Sequence, residues 1–100
     1  MSVKATKKDD SLVIEITGTL NGQLQSTFRN SYKGIKDIKE YIIDLRLTEF
    51  ADSAGLGLLL ALYGITKSMP NKPIVKIINA NNSVKDLLTM SKFQTFFTIE

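Results

Sequence analysis

The hydrophobic residues of the chain recur with two different periods, and the change between these periods predicts the order of the elements. Within residues 11–17 every second position, from Leu12 to Ile16, is aliphatic. A period of two is typical of a strand with one buried face. Residues 2–6 have the composition of a shorter strand, and the polar residues 7–10 that of a turn. The chain is therefore expected to open with an antiparallel hairpin.

A period of about 3.6 residues follows the hairpin and predicts an amphipathic helix. Its apolar positions are Leu24, Phe28, Tyr32 and Ile35. Asn21 belongs to the residue types that cap helix N-termini, and Gly34 to those that end helices. The first helix is therefore expected between these two residues.

Two further helices are expected downstream. One begins near Ser53 and ends at residues 69–73, where two prolines cannot continue a helix. The other is capped by Asn81 or Asn82 and runs through Met90.

Short apolar runs predict the remaining strands. Tyr41–Leu45 is typical of a strand buried on both faces, and Ile74–Ile78 is rich in β-branched residues. Residues 96–99 add a last strand or pack down as a tail. Strands that alternate with helices indicate an α/β fold: one small domain over residues 1–100, with a mixed, mostly parallel sheet, an antiparallel N-terminal edge strand and helices packed on it.

The segment 45–52 is predicted to be a loop at the carboxyl end of the Tyr41–Leu45 strand, where open α/β sheets place functional sites. Asp52 and Ser53 follow, and both are of a type that caps a helix. Gly55 and Gly57 come next, and we expect them to let the helix start approach neighbouring backbone. No third glycine or GK[ST] sequence completes a nucleotide-binding motif.

The second helix separates into two faces when successive residues are placed about 100° apart. The stripe assigned to the core consists of Ala54, Leu58, Ala61, Leu62, Ile65 and Met69. Leu56, Leu60 and Tyr63 lie outside this stripe, on the side of Ser53 and Gly57, and are expected to be partly accessible. Either another helix or a homodimer contact covers them, or they form a partner-binding patch with Ser53 at its rim.

Composition narrows the function classes. The chain has 100 residues, a net charge of +3, no cysteine and no histidine, so thiol chemistry and the commonest metal ligand are absent. We expect no catalytic residues, no metal and no cofactor. The lysines are scattered, which argues against nucleic acid. No signal peptide opens the sequence, and its longest apolar run is half of the ~20 residues that span a bilayer, so a cytoplasmic protein without a membrane span is expected.

The order of these segments resembles the STAS domain family, and most closely its free-standing bacterial anti-sigma factor antagonists. The resemblance covers nearly the whole chain. Its most specific element is the string "DSAGLG" from Asp52 to Gly57, and the sequence "GTLN" before the first helix has Asn21 where the family usually has aspartate.

The resemblance implies a regulatory function. The expected phosphoacceptor is Ser53, modified by an anti-sigma factor serine kinase and restored by a PP2C-type phosphatase, and the unphosphorylated protein binds the anti-sigma factor and frees the sigma factor. The partner-binding residues are then Asn21, Asp52, Ser53, Leu56, Gly57, Leu60 and Tyr63. The alternative is a constitutive STAS scaffold or accessory subunit of a stress-sensing or lipid-transport complex, in which Ser53 only caps the helix. The sequence is also compatible with a weak homodimer, in which the partner is a second copy of the chain.

Overall fold

A computed structural model describes residues 2–100 and contains six strands and three α-helices in that range. In chain order they are β1 (Ser2–Lys8), β2 (Ser11–Leu20), α1 (Gln25–Tyr32), β3 (Glu40–Asp44), β4 (Thr48–Ala51), α2 (Ser53–Ser68), β5 (Ile74–Ile78), α3 (Asn82–Met90) and β6 (Thr98–Ile99). Short 3-10 turns at Gly22–Leu24 and Phe93–Thr95 precede α1 and β6. The predicted α/β class is confirmed.

The strands form one mixed sheet in the order β1-β2-β3-β5-β6. The β1–β2 pair is antiparallel and the other pairs are parallel, so the predicted hairpin and parallel sheet are both confirmed. The long strand β2 has two neighbours on the same side of its chain. Residues 11–15 pair with β3 and residues 18–20 pair with β4.

The strand β4 was not expected, because the sequence predicted a loop over residues 45–52. The register of the β2–β4 pair shifts between Gly18 and Thr19, where β4 advances by two residues for one of β2. Gly18 has a φ of 94°, which glycine adopts without steric cost. The Thr48 hydroxyl donates a hydrogen bond of 2.7 Å to the Ile16 carbonyl and fixes the buried start of β4.

All three helices contribute buried side chains to one core that covers a single face of the sheet. The strand residues in this core include Leu12, Ile14, Ile16, Tyr41, Ile43, Val75 and Ile77. The opposite face carries Val13, Glu15, Ile42 and Asp44, which are only partly buried. The prediction that Tyr41–Leu45 is buried on both faces is therefore wrong, since no helix within residues 2–100 covers the side of Ile42.

The helix caps follow the sequence closely. The Asn21 side-chain oxygen accepts a hydrogen bond from the backbone N–H of Gln23, although a 3-10 turn intervenes before α1. The Asn81 side-chain oxygen accepts from the backbone N–H of Val84 at 2.8 Å, which resolves the choice between two capping asparagines of α3.

Candidate partner-binding site

The start of α2 presents an exposed serine beside a capping aspartate. Ser53 is the first helical residue, as expected, but it follows the strand β4 and not the predicted loop. The Asp52 carboxylate accepts a hydrogen bond of 2.8 Å from the backbone N–H of Gly55 and is the N-cap. Within residues 2–100 this is the one side-chain hydrogen bond at the helix start, so the Ser53 hydroxyl is left free to react or to contact a partner.

Asn21 lies next to Ser53 on the surface. The Asp52 N–H donates to the Leu20 carbonyl at 3.1 Å. A Cβ placed on Gly22 would lie 3.4 Å from the Ala54 Cβ. Asn21 lies between Leu20 and Gly22, and Ser53 lies between Asp52 and Ala54. Because both flanking pairs are in contact, Asn21 and Ser53 are neighbours. The structure thus brings Asn21, Asp52 and Ser53 together.

The two glycines of the "GLG" sequence have opposite surroundings. A Cβ on Gly55 would collide with the carbonyl oxygen of Leu20. The expectation that this glycine permits close backbone approach is confirmed. A Cβ on Gly57 would meet nothing within 4 Å. The same expectation is wrong for Gly57, which lies on the exposed side of the helix.

The close approach of Gly55 to β2 turns α2 by about a quarter of a turn from the predicted orientation. Its buried residues are Gly55, Leu56, Leu58, Leu59, Leu62 and Thr66. Of the stripe assigned to the core, Leu58 and Leu62 are buried, whereas Ala54, Ala61 and Ile65 are exposed. The predicted core stripe is therefore half wrong.

The expected patch changes with this rotation. Leu56 is only 5% exposed, so the prediction that it is accessible is wrong. Leu60 is 40% exposed, as expected. Tyr63 is partly accessible and packs against Phe96 and Phe97, with ring centroids 5.2 and 5.6 Å apart. The accessible surface of the helix thus runs from Ser53 over Gly57 and Leu60.

The electrostatics of the site come from few groups. Neither α1 nor α2 contains an acidic residue, so Asp52 is the carboxylate adjacent to Ser53. Among residues 2–100 no group of three or more His, Cys, Asp and Glu side chains is placed to hold a metal ion. A membrane-spanning helix is likewise not found in this part of the chain. The arrangement can accept a phosphoryl group on Ser53 and contact another protein.

A second exposed apolar surface was missed by sequence reasoning. Phe50 on β4 is 63% exposed and Met90 on α3 is 80% exposed, and they line a cavity of about 370 Å³ together with Leu87. Phe50 lies three residues before Ser53, so this surface is near the helix start. The available signal for a strand at this position was Thr48 and Phe50 alternating with Glu49, but this pattern spans too few residues to predict a strand.

Comparisons with known proteins agree with this architecture. The STAS domain family model matches residues 2–100. The STAS-domain containing protein PA14_20770 of Pseudomonas aeruginosa (strain UCBPP-PA14) is 28% identical over 102 residues, which cover 99% of each chain.

Two solved structures show the same fold. An anti-sigma factor antagonist from Mycobacterium paratuberculosis superposes with a TM-score of 0.80 at 17% identity, covering 98% of this chain and 83% of that one. The phosphorylated form of the Bacillus cell fate determinant SpoIIAA superposes with a TM-score of 0.63 at 16% identity, covering 99% and 91%. With the family match over residues 2–100, these similarities show that the chain belongs to the STAS domain family.

Proposed function

We propose that this protein is an anti-sigma factor antagonist. Its unphosphorylated form binds an anti-sigma factor serine kinase and frees the sigma factor, and phosphorylation of Ser53 ends the binding. The observation that carries the proposal is the division of roles at the start of α2: Asp52 caps the helix, while the exposed Ser53 hydroxyl makes no hydrogen bond within residues 2–100. The structural relatives include an anti-sigma factor antagonist and the phosphorylated form of the Bacillus cell fate determinant SpoIIAA.

The proposed binding surface consists of Asn21, Asp52, Ser53, Gly57, Leu60 and the accessible part of Tyr63. Leu56 is buried and supports this surface from below. Gly57 has open space above it, so a partner's backbone can approach the helix closely there. Leu60 supplies apolar area, and the polar residues around Ser53 form the rim.

The switch is electrostatic. The kinase transfers the γ-phosphoryl group of ATP to the Ser53 oxygen, with release of ADP and of the hydroxyl proton. The phosphate adds about 1.5 to 2 negative charges beside the Asp52 carboxylate. Because an unmatched charge loses its hydration in an interface, a penalty of ~3 to 4 kcal/mol would weaken binding several hundredfold. A PP2C-type phosphatase removes the group and restores the binding form.

The alternative of a constitutive scaffold required Ser53 to serve only as the helix cap. The Asp52 carboxylate makes the capping bond to Gly55, so the fold does not need a serine at position 53. This observation favours the switch over the scaffold.

The test is isothermal titration calorimetry with the kinase that copurifies with the unmodified protein. We expect wild type and Ser53→Ala to bind alike, Ser53→Asp to bind more weakly, and the phosphorylated protein to bind several hundredfold more weakly. The matched control is Ser68→Asp, which places the same charge on an exposed serine about 22 Å along the same helix. Equal affinity for all forms would contradict the switch and favour the scaffold.

A further inference from the structure

Within residues 2–100, one of the two polar atoms of the Asn21 side-chain amide makes a hydrogen bond and the other does not. Its Oδ1 accepts the Gln23 N–H at 2.9 Å. Because only an oxygen can accept this bond, the opposite end of the amide is the Nδ2 donor. Within residues 2–100 no acceptor is hydrogen-bonded to Nδ2. Asn21 is partly buried and keeps an unused donor on a residue adjacent to Ser53.

The backbone fixes this proximity. Leu20 and Asp52 are joined by a hydrogen bond of 3.1 Å, and Gly22 faces Ala54 at van der Waals distance. These contacts flank Asn21 on one chain segment and Ser53 on the other. Asn21 is therefore the neighbour of Ser53 on the adjacent chain segment, and a group attached to the Ser53 oxygen starts next to it.

At the N-terminus of α2, one of the backbone N–H groups already has a hydrogen-bond acceptor. The Asp52 carboxylate takes the Gly55 N–H and adds a negative charge that repels any phosphate on the adjacent residue. Donors of this region that make no hydrogen bond within residues 2–100 include the backbone N–H groups of Ser53 and Ala54 and the Nδ2 of Asn21. Of these, the Asn21 donor belongs to a side chain, and the bond from the Gln23 N–H to its Oδ1 leaves the Nδ2–H groups able to donate to an added group.

We propose that Asn21 holds the phosphoryl group of modified Ser53 by donating its Nδ2–H to a phosphate oxygen. This inference rests on the proposed function, in which Ser53 is the phosphoacceptor. Asn21 is a positioning residue with two separable roles: its oxygen caps the turn before α1, and its nitrogen binds the phosphate. An aspartate at this position would keep the first role, because a carboxylate also accepts the Gln23 N–H, but it would repel the phosphate.

The first test compares the second ionisation of the phosphate among variants. Phosphoserine is incorporated at position 53 during protein synthesis, so no kinase is needed, and its pKa is followed by ³¹P NMR. We expect Asn21→Asp to raise this pKa by about 0.5, the order of a like charge several ångströms away in water. Asn21→Ala, which removes the donor without adding charge, is expected to raise it less. Gln23→Glu adds charge at the next exposed side chain but keeps the donor, and is expected to have the smallest effect.

The second test observes the donor directly. In ¹⁵N-labelled protein, the side-chain amide signals of Asn21 are expected to shift and to exchange more slowly with solvent when position 53 carries phosphoserine in place of serine. Asn30, an exposed asparagine on α1, is the control whose signals should not change. The proposal is overturned if the Asn21 signals stay as constant as those of Asn30, or if Asn21→Ala leaves the phosphate pKa unchanged. Neither test uses a kinase, so that result would contradict the role of Asn21 but not the proposed Ser53 switch. The switch itself is tested only by the calorimetry.

Discussion

The inner and outer faces of α2 use similar residues for opposite purposes. The inner face, defined by Gly55, Leu59, Leu62 and Thr66, is buried against the sheet. The outer face, defined by Ser53, Gly57, Leu60 and Gly64, is exposed. Each face has glycine and leucine, but glycine permits backbone contact on one and leaves open surface on the other. Substitutions on the two faces should therefore separate stability from binding.

The largest difference is expected between the two glycines of the "GLG" sequence. Gly55→Ala should lower the free energy of unfolding by more than about 4 kcal/mol, because the added methyl meets the Leu20 backbone, which cannot turn aside. Gly57→Ala should raise it by about 0.5 to 1 kcal/mol through helix propensity. Urea denaturation measures both, and equal effects would remove the distinction between the faces.

A smaller difference is expected between two adjacent leucines. Leu59 is fully buried, and Leu59→Ala should cost about 3 kcal/mol of stability. Leu60→Ala should change stability by only about 0.5 kcal/mol, as surface substitutions do, but should weaken binding of the proposed kinase partner about tenfold through the loss of an apolar contact. Thermal unfolding and calorimetry on the same samples give both values. A loss of stability in Leu60→Ala as large as in Leu59→Ala would show that the outer face is also part of the core.

The smallest effects are expected at the helix start, where the faces meet. Asp52→Ala should lower stability by about 1 kcal/mol, because the Gly55 N–H loses its capping acceptor. Asp52→Asn, which keeps an acceptor oxygen, should recover most of this loss. Ser53→Ala should change stability by only a few tenths of a kcal/mol, since it removes no hydrogen bond. Denaturation midpoints measure these changes in stability. A larger loss of stability in Ser53→Ala than in Asp52→Ala would show that Ser53, and not Asp52, caps the helix.

Sequence patterns predicted most of the fold because most of its elements contain periodic aliphatic residues. They missed β4, which has four residues and takes its partner from the far end of β2. Such a strand is fixed by tertiary pairing and leaves too short an alternation to detect. For this reason the sequence predicts a loop in the segment that precedes the site.

The rotation of α2 was missed for a different reason. Gly55 and Thr66 face the core but contribute little hydropathy, so periodicity assigned the inner face to Ala61 and Ile65, which are exposed. The contact that orients the helix lies between Gly55 and backbone atoms of Leu20, and sequence hydropathy contains no information about it. The residues at the helix start were better predicted, because capping depends on local chemistry. This is why Asp52 and Ser53 were correctly placed while Leu56 was not.

The position of β4 at an edge of the sheet also bears on the solubility of the folded protein. Edge strands expose unpaired carbonyl groups that can pair with the edge of another molecule and begin aggregation. Here the Asn81 side-chain nitrogen donates to the carbonyls of Thr48 and Glu49, at 3.2 Å each. The asparagine that caps α3 thus also occupies the acceptors of a short edge strand, and intermolecular strand pairing at this edge would first have to displace it.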